Sequence, residues 1–184
     1  MYVIRCTPTK VGDWAFTGCA SLWAVNLSSS VSIGTSAFSG CTSLASADLR
    51  NVSSLGDKAF YGCSALESVS LDNLAEIGTK SFANCVSLKT ASISAFKIKG
   101  WSFTGCVSLR SIDLSATKYI GTSAFSGCKP IESITFADGL SMVGNNAFYG
   151  LKFQDAQGNA LTVSPENLTG HSFSKVGGYL RLVK

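Results

Sequence analysis

Apolar positions recur along this chain with a period of about 22 residues, and the same short block of residues introduces each period. Seven copies of the block align on a phenylalanine, and successive phenylalanines are 21 to 23 residues apart. They are Phe16, Phe38, Phe60, Phe82, Phe103, Phe125 and Phe148. A fixed period of this length indicates a solenoid, in which each repeat forms one rung and packs only against its neighbours.

Two further apolar positions in each repeat predict a short strand. They lie nine and eleven residues after the phenylalanine and flank a polar residue, as in Val25-Asn26-Leu27. This alternation is typical of a strand with one buried face. Stacked repeats therefore predict a parallel sheet of six or seven short strands, one per rung, spaced by about 4.8 Å.

The rest of each repeat, from the apolar-Gly pair to the Gly-Cys pair, predicts a tight turn. The second residue after the phenylalanine is glycine in six copies and Asn84 in the seventh. Because asparagine is the next-best residue after glycine for a positive φ, we expect that conformation here. We also expect a short helical or 3₁₀ turn on the convex side and one continuous buried stack of phenylalanine rings.

The repeat pattern stops after Leu151, and the remaining residues predict a different structure. Residues 152–154 and 160–163 flank a turn-rich segment suited to a hairpin, Ser164-Pro165 suits the start of a short helix, and residues 179–183 alternate as a closing strand. We predict an array at 1–151, with an incomplete first repeat at 1–10, and a small α+β C-terminal cap at 152–184. The uncapped N-terminal edge suggests end-to-end self-association.

The unit IGTSAFSGCTSLASADL, which begins at Ile33, resembles the BspA-like leucine-rich repeat. That repeat follows the pattern apolar-Gly-x-x-Ala-Phe-x-x-Cys-x-x-Leu-x-x-Val-x-Leu, and the resemblance covers about residues 3–151. It implies a right-handed leucine-rich-repeat solenoid, either a horseshoe or a gently curved rod. Members of the family are typically surface or secreted proteins implicated in adhesion, so it also implies an extracellular or cell-surface location. The motif is scaffold, and no functional residue transfers from it.

Composition and motifs argue against several other functions. The net charge of +4 comes without a Lys/Arg run, no segment is long enough to span a membrane, and the first residues lack the regions of a signal peptide. The chain has one histidine, His171, and no nucleophile elbow, P-loop or metalloprotease motif. We expect no enzyme activity, no cofactor or metal, no nucleic-acid partner and no membrane insertion.

Six cysteines share the column three residues after the phenylalanine. A spacing of about 22 residues supplies no metal-ligand cluster, and stacked parallel side chains are too far apart for a disulfide. We expect these thiols to be buried, reduced and unreactive, whereas Cys6 lies outside the column and is the candidate reactive thiol. The column consists of Cys19, Cys41, Cys63, Cys85, Cys106 and Cys128.

Two surfaces are candidate binding sites. The first comprises Lys80, Lys97, Lys99 and Trp101, where one repeat is a residue short and Lys99 replaces the usual glycine. Cationic and aromatic side chains together suit an acidic or glycan partner, but Trp101 packing locally over an irregular turn is an alternative. The second is the strand face, on which Trp23, Glu67, Lys89 and Arg110 stand among small polar residues.

These features predict a non-enzymatic, extracellular or cell-surface module that binds a protein or a glycan and contributes to adhesion. The alternative is a structural spacer in a larger repeat-containing surface protein, with no ligand of its own. The small polar residues of the strand face favour this second interpretation, because they offer few anchors for a partner.

Overall fold

The computed structural model describes residues 2–4 and 8–183. Within them the repeats form a parallel β-solenoid of about six turns, which confirms the predicted fold class. The predicted alternating strands form the first strand series. It consists of β1 (Tyr2–Ile4), β3 (Leu22–Val25), β5 (Ser46–Ala47), β7 (Ser68–Leu71), β9 (Thr90–Ile93), β11 (Ser111–Leu114) and β13 (Ser133–Phe136).

A second series of two-residue strands, which we did not predict, lies at the apolar-Gly pairs. It consists of β2 (Lys10–Val11), β4 (Ser32–Ile33), β6 (Ser54–Leu55), β8 (Glu76–Ile77), β10 (Lys97–Ile98), β12 (Tyr119–Ile120) and β14 (Met142–Val143). Both series pair in parallel from rung to rung, with Leu71 opposite Ile93 in the first and Ile77 opposite Ile98 in the second. Each series is divided into two sheets. The first series divides between β5 and β7, and the second divides between β6 and β8.

The turns that contain the phenylalanines have positive φ at two positions. The predicted position is positive throughout, from 69° at Gly62 to 97° at Gly150, and φ is 62° at Asn84. The residue two before each phenylalanine also has a positive φ, between 54° and 59°, although it is never glycine. The turns contain hydrogen bonds of the 3₁₀ type, such as Cys19 N to Phe16 O at 3.1 Å, but the two positive values prevent a continuous helix.

Successive turns are joined by three backbone hydrogen bonds, a set that we call the turn ladder. The donors are the backbone N–H groups of the phenylalanine, of the residue two positions before it and of the residue two positions after it. Each donates to a carbonyl oxygen of the next rung. In the first turn the donors are the N–H groups of Trp14, Phe16 and Gly18. The equivalent three bonds form in every turn from that of Phe16 to that of Phe125, with N to O distances of 2.7 to 3.2 Å. The ladder fixes how far apart the rungs stand.

The core is a single apolar column, and its centre is the phenylalanine stack. The rings of Phe38, Phe60, Phe82, Phe103 and Phe125 are fully buried, as predicted. Neighbouring ring centroids from Phe16 to Phe148 are 5.1 to 5.4 Å apart, and neighbouring ring planes differ by at most 11°. This near-parallel stacking follows from the repeat, since each ring occupies the same position one rung further along.

Residues 153–182 form β15 (Phe153–Gln154), β16 (Ala160–Leu161), α1 (Pro165–Leu168), β17 (Ser172–Val176) and β18 (Tyr179–Leu182). The side chain of Ser164 accepts a hydrogen bond from Asn167 N at the start of α1. Strand β17, which we did not predict, pairs antiparallel with β13 and with β18. Strand β17 covers the free edge of β13, the last strand of the first series. Because β17 runs antiparallel to β13, it ends the parallel stacking of rungs. The boundary between residues 151 and 152 stays a prediction.

Candidate functional site

The residues of the predicted site around Trp101 lie on two neighbouring rungs, and we call this set the basic-aromatic patch and define it as Lys80, Lys97, Lys99 and Trp101. Lys80 and Trp101 stand in the same turn column on neighbouring rungs, which places the Lys80 Nζ atom 5.4 Å from the centroid of the Trp101 ring. The Trp101 side chain is 42% exposed. An ammonium over an indole ring at this distance is a cation–π contact, and the exposed part of the ring is available to a ligand.

The other two lysines of the patch share a carboxylate that the sequence analysis did not include. Lys99 Nζ lies 2.8 Å from Glu76 Oε1, and Lys97 Nζ lies 3.9 Å from Glu76 Oε2. The pairing follows from the register of the second strand series, in which Lys97 is opposite Glu76. The hydrogen bond to Glu76 raises the pKa of the Lys99 ammonium. Two lysines therefore share one carboxylate, and with Lys80 the patch has more positive than negative charges.

The residue missing from this repeat lies outside the turn that carries Trp101. Leu71 is opposite Ile93 and Glu76 is opposite Lys97, so one residue fewer connects β9 to β10 than connects β7 to β8. At Trp101 itself φ is 59°, and its N–H donates to Thr122 O at 2.9 Å, like the equivalent N–H of each turn from that of Phe16 to that of Phe125. The backbone under the indole is therefore regular, and the shortening falls beside Phe96.

The alternative site on the strand face is divided into neutral pairs. Lys89 Nζ lies 3.0 Å from Glu67 Oε2, and Arg110 Nη1 lies 2.8 Å from Glu132 Oε1, each pair linking neighbouring rungs. Trp23 is exposed but stands two rungs before Glu67 in the same column. The structure thus brings Glu67, Lys89 and Arg110 together, whereas Trp23 is separate from them. Surface pairs of this kind contribute little stability, but they leave few free charges for a partner.

The cysteine column is buried at five of its six positions. Each of Cys41, Cys63, Cys85, Cys106 and Cys128 is fully buried and donates its thiol to the carbonyl oxygen of a phenylalanine on the preceding rung, at 3.0 to 3.2 Å. The prediction is wrong for Cys19, which is exposed because it stands on the first turn, with no turn before it to cover it. Cys6 lies outside the described residues.

Burial changes the acidity of these thiols. Desolvation raises the pKa of Cys41 to about 11 and that of Cys128 to about 12, and it also raises the pKa of Cys63, Cys85 and Cys106. The thiolate is the reactive form of cysteine, so both access and acidity oppose reaction at these five positions.

Other chemistry has little support in the part of the chain that the structure describes. No group of three or more His, Cys, Asp or Glu side chains there is arranged to hold a metal ion. His171 caps α1 through its backbone, whose N–H donates to Leu168 O at 3.1 Å. None of the helices in residues 2–4 and 8–183 has the length and apolar character needed to cross a membrane.

A family model described as the BspA type leucine rich repeat region, with six copies, matches residues 2–99 and 96–175. The chain belongs to this family. Because both segments together span nearly all of the described residues, the BspA-type repeat accounts for the array and extends into the strands that follow it. No curated protein sequence matches the chain significantly.

Solved structures similar to this BspA-type array include three bacterial leucine-rich repeat proteins. The T. pallidum leucine rich repeat protein has 27% identity and a TM-score of 0.65 over 75% of this chain and 79% of its own. A leucine rich cell surface protein from Faecalibacterium prausnitzii has 24% identity and a TM-score of 0.65 over 96% of this chain and 43% of its own. A leucine-rich repeat protein from Bacteroides ovatus has 28% identity and a TM-score of 0.51 over 83% of this chain and 54% of its own. The chain thus spans about half the length of the last two proteins.

Thiol labelling of the native BspA-type array is expected to separate Cys19 from the five buried thiols. In the native state a maleimide should modify Cys19 rapidly and leave Cys41 through Cys128 unmodified, because these side chains are fully buried. Peptide mapping by mass spectrometry measures the modification of each cysteine. A Cys19→Ser variant, which lacks this site, is the control, and the denatured chain should label fully. Rapid native labelling of Cys85 would contradict the burial of the column.

Proposed function

We propose that this chain is a non-enzymatic binding module of a bacterial cell surface and that the basic-aromatic patch is its contact centre. Membership of the BspA-type family supports both the binding role and a location outside the cell. The observation that carries the choice of site is the exposed Trp101 ring with Lys80 held 5.4 Å from its centroid. Tryptophan is among the residues that contribute most to binding energy at interfaces.

The charges of the patch favour an acidic partner, either a protein or a glycan. Lys80 has no ion-pair partner among the described residues, whereas Lys97 and Lys99 share Glu76. A carboxylate or sulfate of a partner would meet Lys80 without first separating an ion pair. The indole would supply an apolar face for a side chain or a sugar ring.

The chain's own repeats provide the variant that tests this site. Ser36 and Ser123 occupy the column of Trp101 with φ of 54°, so Trp101→Ser is compatible with the backbone of the turn. The full chain is screened for binding to immobilised extracellular-matrix proteins and to a glycan array. The affinity for each protein or glycan that binds is then measured by biolayer interferometry. Trp101→Ser should weaken binding roughly 30-fold, the loss of about 2 kcal/mol that marks a hot spot.

Trp14→Ser is the matched control. Trp14 shares the column and the positive φ of Trp101, and it is also exposed, but it stands four rungs before Trp101 and three before Lys80. It should leave the affinity unchanged, and both variants should keep the wild-type melting temperature. Equal effects of the two substitutions would remove the patch as the contact centre.

A structural spacer is the second candidate function, and one observation favours it. The strand face carries its charges as the internal pairs Lys89–Glu67 and Arg110–Glu132, so it presents few unpaired anchors to a ligand. In this case the array would hold other parts of a surface protein apart, or would associate end to end through its N-terminal edge. A screen in which no matrix protein and no glycan binds would favour this function.

A further inference from the structure

The turn ladder has an open end at the last turn, where its hydrogen-bond donors have no next rung. In the preceding turn, the N–H groups of Ser123, Phe125 and Gly127 donate to the oxygens of Asn145, Ala147 and Tyr149 at 2.7 to 3.0 Å. The equivalent groups of the last turn are the N–H groups of Asn146, Phe148 and Gly150. None of these three has an acceptor within residues 2–4 and 8–183.

The last turn has the same backbone conformation as the turns before it. The φ values of Asn146 and Gly150 are 58° and 97°, and those of Ser123 and Gly127 in the same columns are 54° and 82°. The three free N–H groups therefore point along the solenoid axis, in the direction in which all earlier turns form their bonds. They alternate with the N–H groups of Ala147 and Tyr149, which donate within the turn, and free backbone N–H groups of a turn can bind an anion.

One of the three donors is buried, which makes its lack of a partner unusual. Phe148 is only 2% exposed, and its ring packs against Phe125 and Phe153. Buried backbone N–H groups almost always have an acceptor, because an unpaired one costs about 1–3 kcal/mol. The Phe148 N–H is therefore a donor that a ligand or an ordered water must satisfy.

The surroundings of the three donors are positively charged. They line an open cleft of about 730 Å³, to which Lys129 and Lys152 also contribute and which Val163 borders from the cap side. No aspartate or glutamate is among the residues that line this cleft. The Lys152 ammonium lies 5.6 Å from the centroid of the Tyr179 ring, and together with Lys129 it gives the lining of the cleft a net positive charge, which favours an anion there. The cleft is thus complementary to an anion in both charge and hydrogen bonding.

We propose that the open end of the turn ladder is an oxyanion-binding site, in which the N–H groups of Asn146, Phe148 and Gly150 donate to a phosphate, sulfate or carboxylate group. Lys129 and Lys152 supply the countercharge. This site is separate from the basic-aromatic patch, which lies two rungs earlier in the array, and it does not rest on the proposed function. Its ligand is identified by the oxyanion alone, whether the ion is free or part of a larger molecule.

An NMR titration of the full chain with inorganic phosphate tests the donors directly. At constant ionic strength, the amide signals of Asn146, Phe148 and Gly150 should shift downfield and saturate together. The amides of Ser123, Phe125 and Gly127 are the internal control, because they hold the same columns one rung earlier and already donate to carbonyls. Sulfate and acetate titrations then rank the oxyanions. Unchanged shifts at the three last-turn amides would overturn the proposal.

Substitutions in the cleft test the charge requirement. Lys129→Gln and Lys152→Gln should each weaken phosphate binding about fivefold, whereas Lys58→Gln, which removes an exposed charge outside the cleft, should not. Val163→Glu places a carboxylate at the cleft and should abolish the phosphate response, while the uncharged Val163→Gln should retain it. Amide spectra identical elsewhere confirm folding. If Val163→Glu and both lysine variants bind phosphate like the wild type, the site is refuted.

Discussion

Between about pH 9 and about pH 11 the free energy of unfolding of the array is expected to fall steeply. Burial raises the pKa of Cys41 to about 11 and that of Cys128 to about 12, and it also raises those of Cys63, Cys85 and Cys106, whereas thiols of the unfolded chain ionise near pH 9. In this window the unfolded chain has lost thiol protons that the folded chain retains. The stability is therefore fully present below about pH 9 and decreases as the pH rises toward the folded pKa values, by about 1.4 kcal/mol per pH unit for each thiol.

The contribution of one thiol is isolated by Cys85→Ala. Urea unfolding is measured from about pH 7 to about pH 11 under reducing conditions for the wild type and the variant. Tyrosines and lysines titrate equally in both proteins, so they cancel in the difference between the two pH profiles. The variant should lose stability less steeply above about pH 9, by about 1.4 kcal/mol per pH unit. Parallel profiles would show that Cys85 is not protected from ionisation in the folded state.

Phe82→Ala is expected to cost about 3–5 kcal/mol of folding free energy, a large fraction of the stability of a domain of this size. The ring is fully buried, and its centroid lies 5.4 Å from that of Phe60 on one side and 5.4 Å from that of Phe103 on the other. Its removal leaves a cavity in the middle of the stack. The turn ladder holds the flanking rungs apart, so they close the cavity only in part. Urea unfolding followed by circular dichroism measures the loss.

Phe96→Ala is the control for this substitution. Phe96 is half exposed and lies outside the stack, so its loss should change stability by less than about 1 kcal/mol. Phe16→Ala should fall between the two, because Phe16 is partly buried and has only one stacked neighbour. A cost below about 1 kcal/mol for Phe82→Ala would mean that the rings can repack and that the stack is not the main source of stability.

The repeat made most of the fold predictable from the sequence. Each phenylalanine, strand residue and turn glycine occurs in several copies. A comparison of the copies shows the structural role of a position, which a single residue would not show. The exchange of glycine for Asn84 identified the positive φ that the structure contains at 62°. The two-residue strands were missed because a pair such as Ser32–Ile33 is too short to show an alternation. The second positive φ was missed because tryptophan, lysine and serine do not indicate it.

The candidate sites depended on information that a column does not contain. The common column of Lys80 and Trp101 was enough to predict that they are neighbours, since rung spacing fixes the backbone. The sharing of Glu76 by Lys97 and Lys99 depends on side-chain torsions and on the register between β8 and β10. Strand β17 was missed because its antiparallel pairing with β13 follows no repeat. The open donors of the last turn become visible only when the direction of the turn ladder is known.

The turn ladder runs in the direction opposite to that of the hydrogen bonds of an α-helix. A helix bonds backward along the chain, so its free N–H groups and positive pole lie at its N-terminal end. The turn ladder bonds forward, as from Phe16 N to Ala37 O, and its free N–H groups lie at the last rung. Peptide dipoles of about 3.5 D add when they are aligned, but each rung also bonds backward, as from Gly34 N to Val11 O and from Gly56 N to Ile33 O, so the two rows of dipoles oppose each other. Adding rungs to such an array would therefore lengthen two opposed rows of dipoles, and the positive pole of the turn ladder would stay confined to the turn side of the last rung.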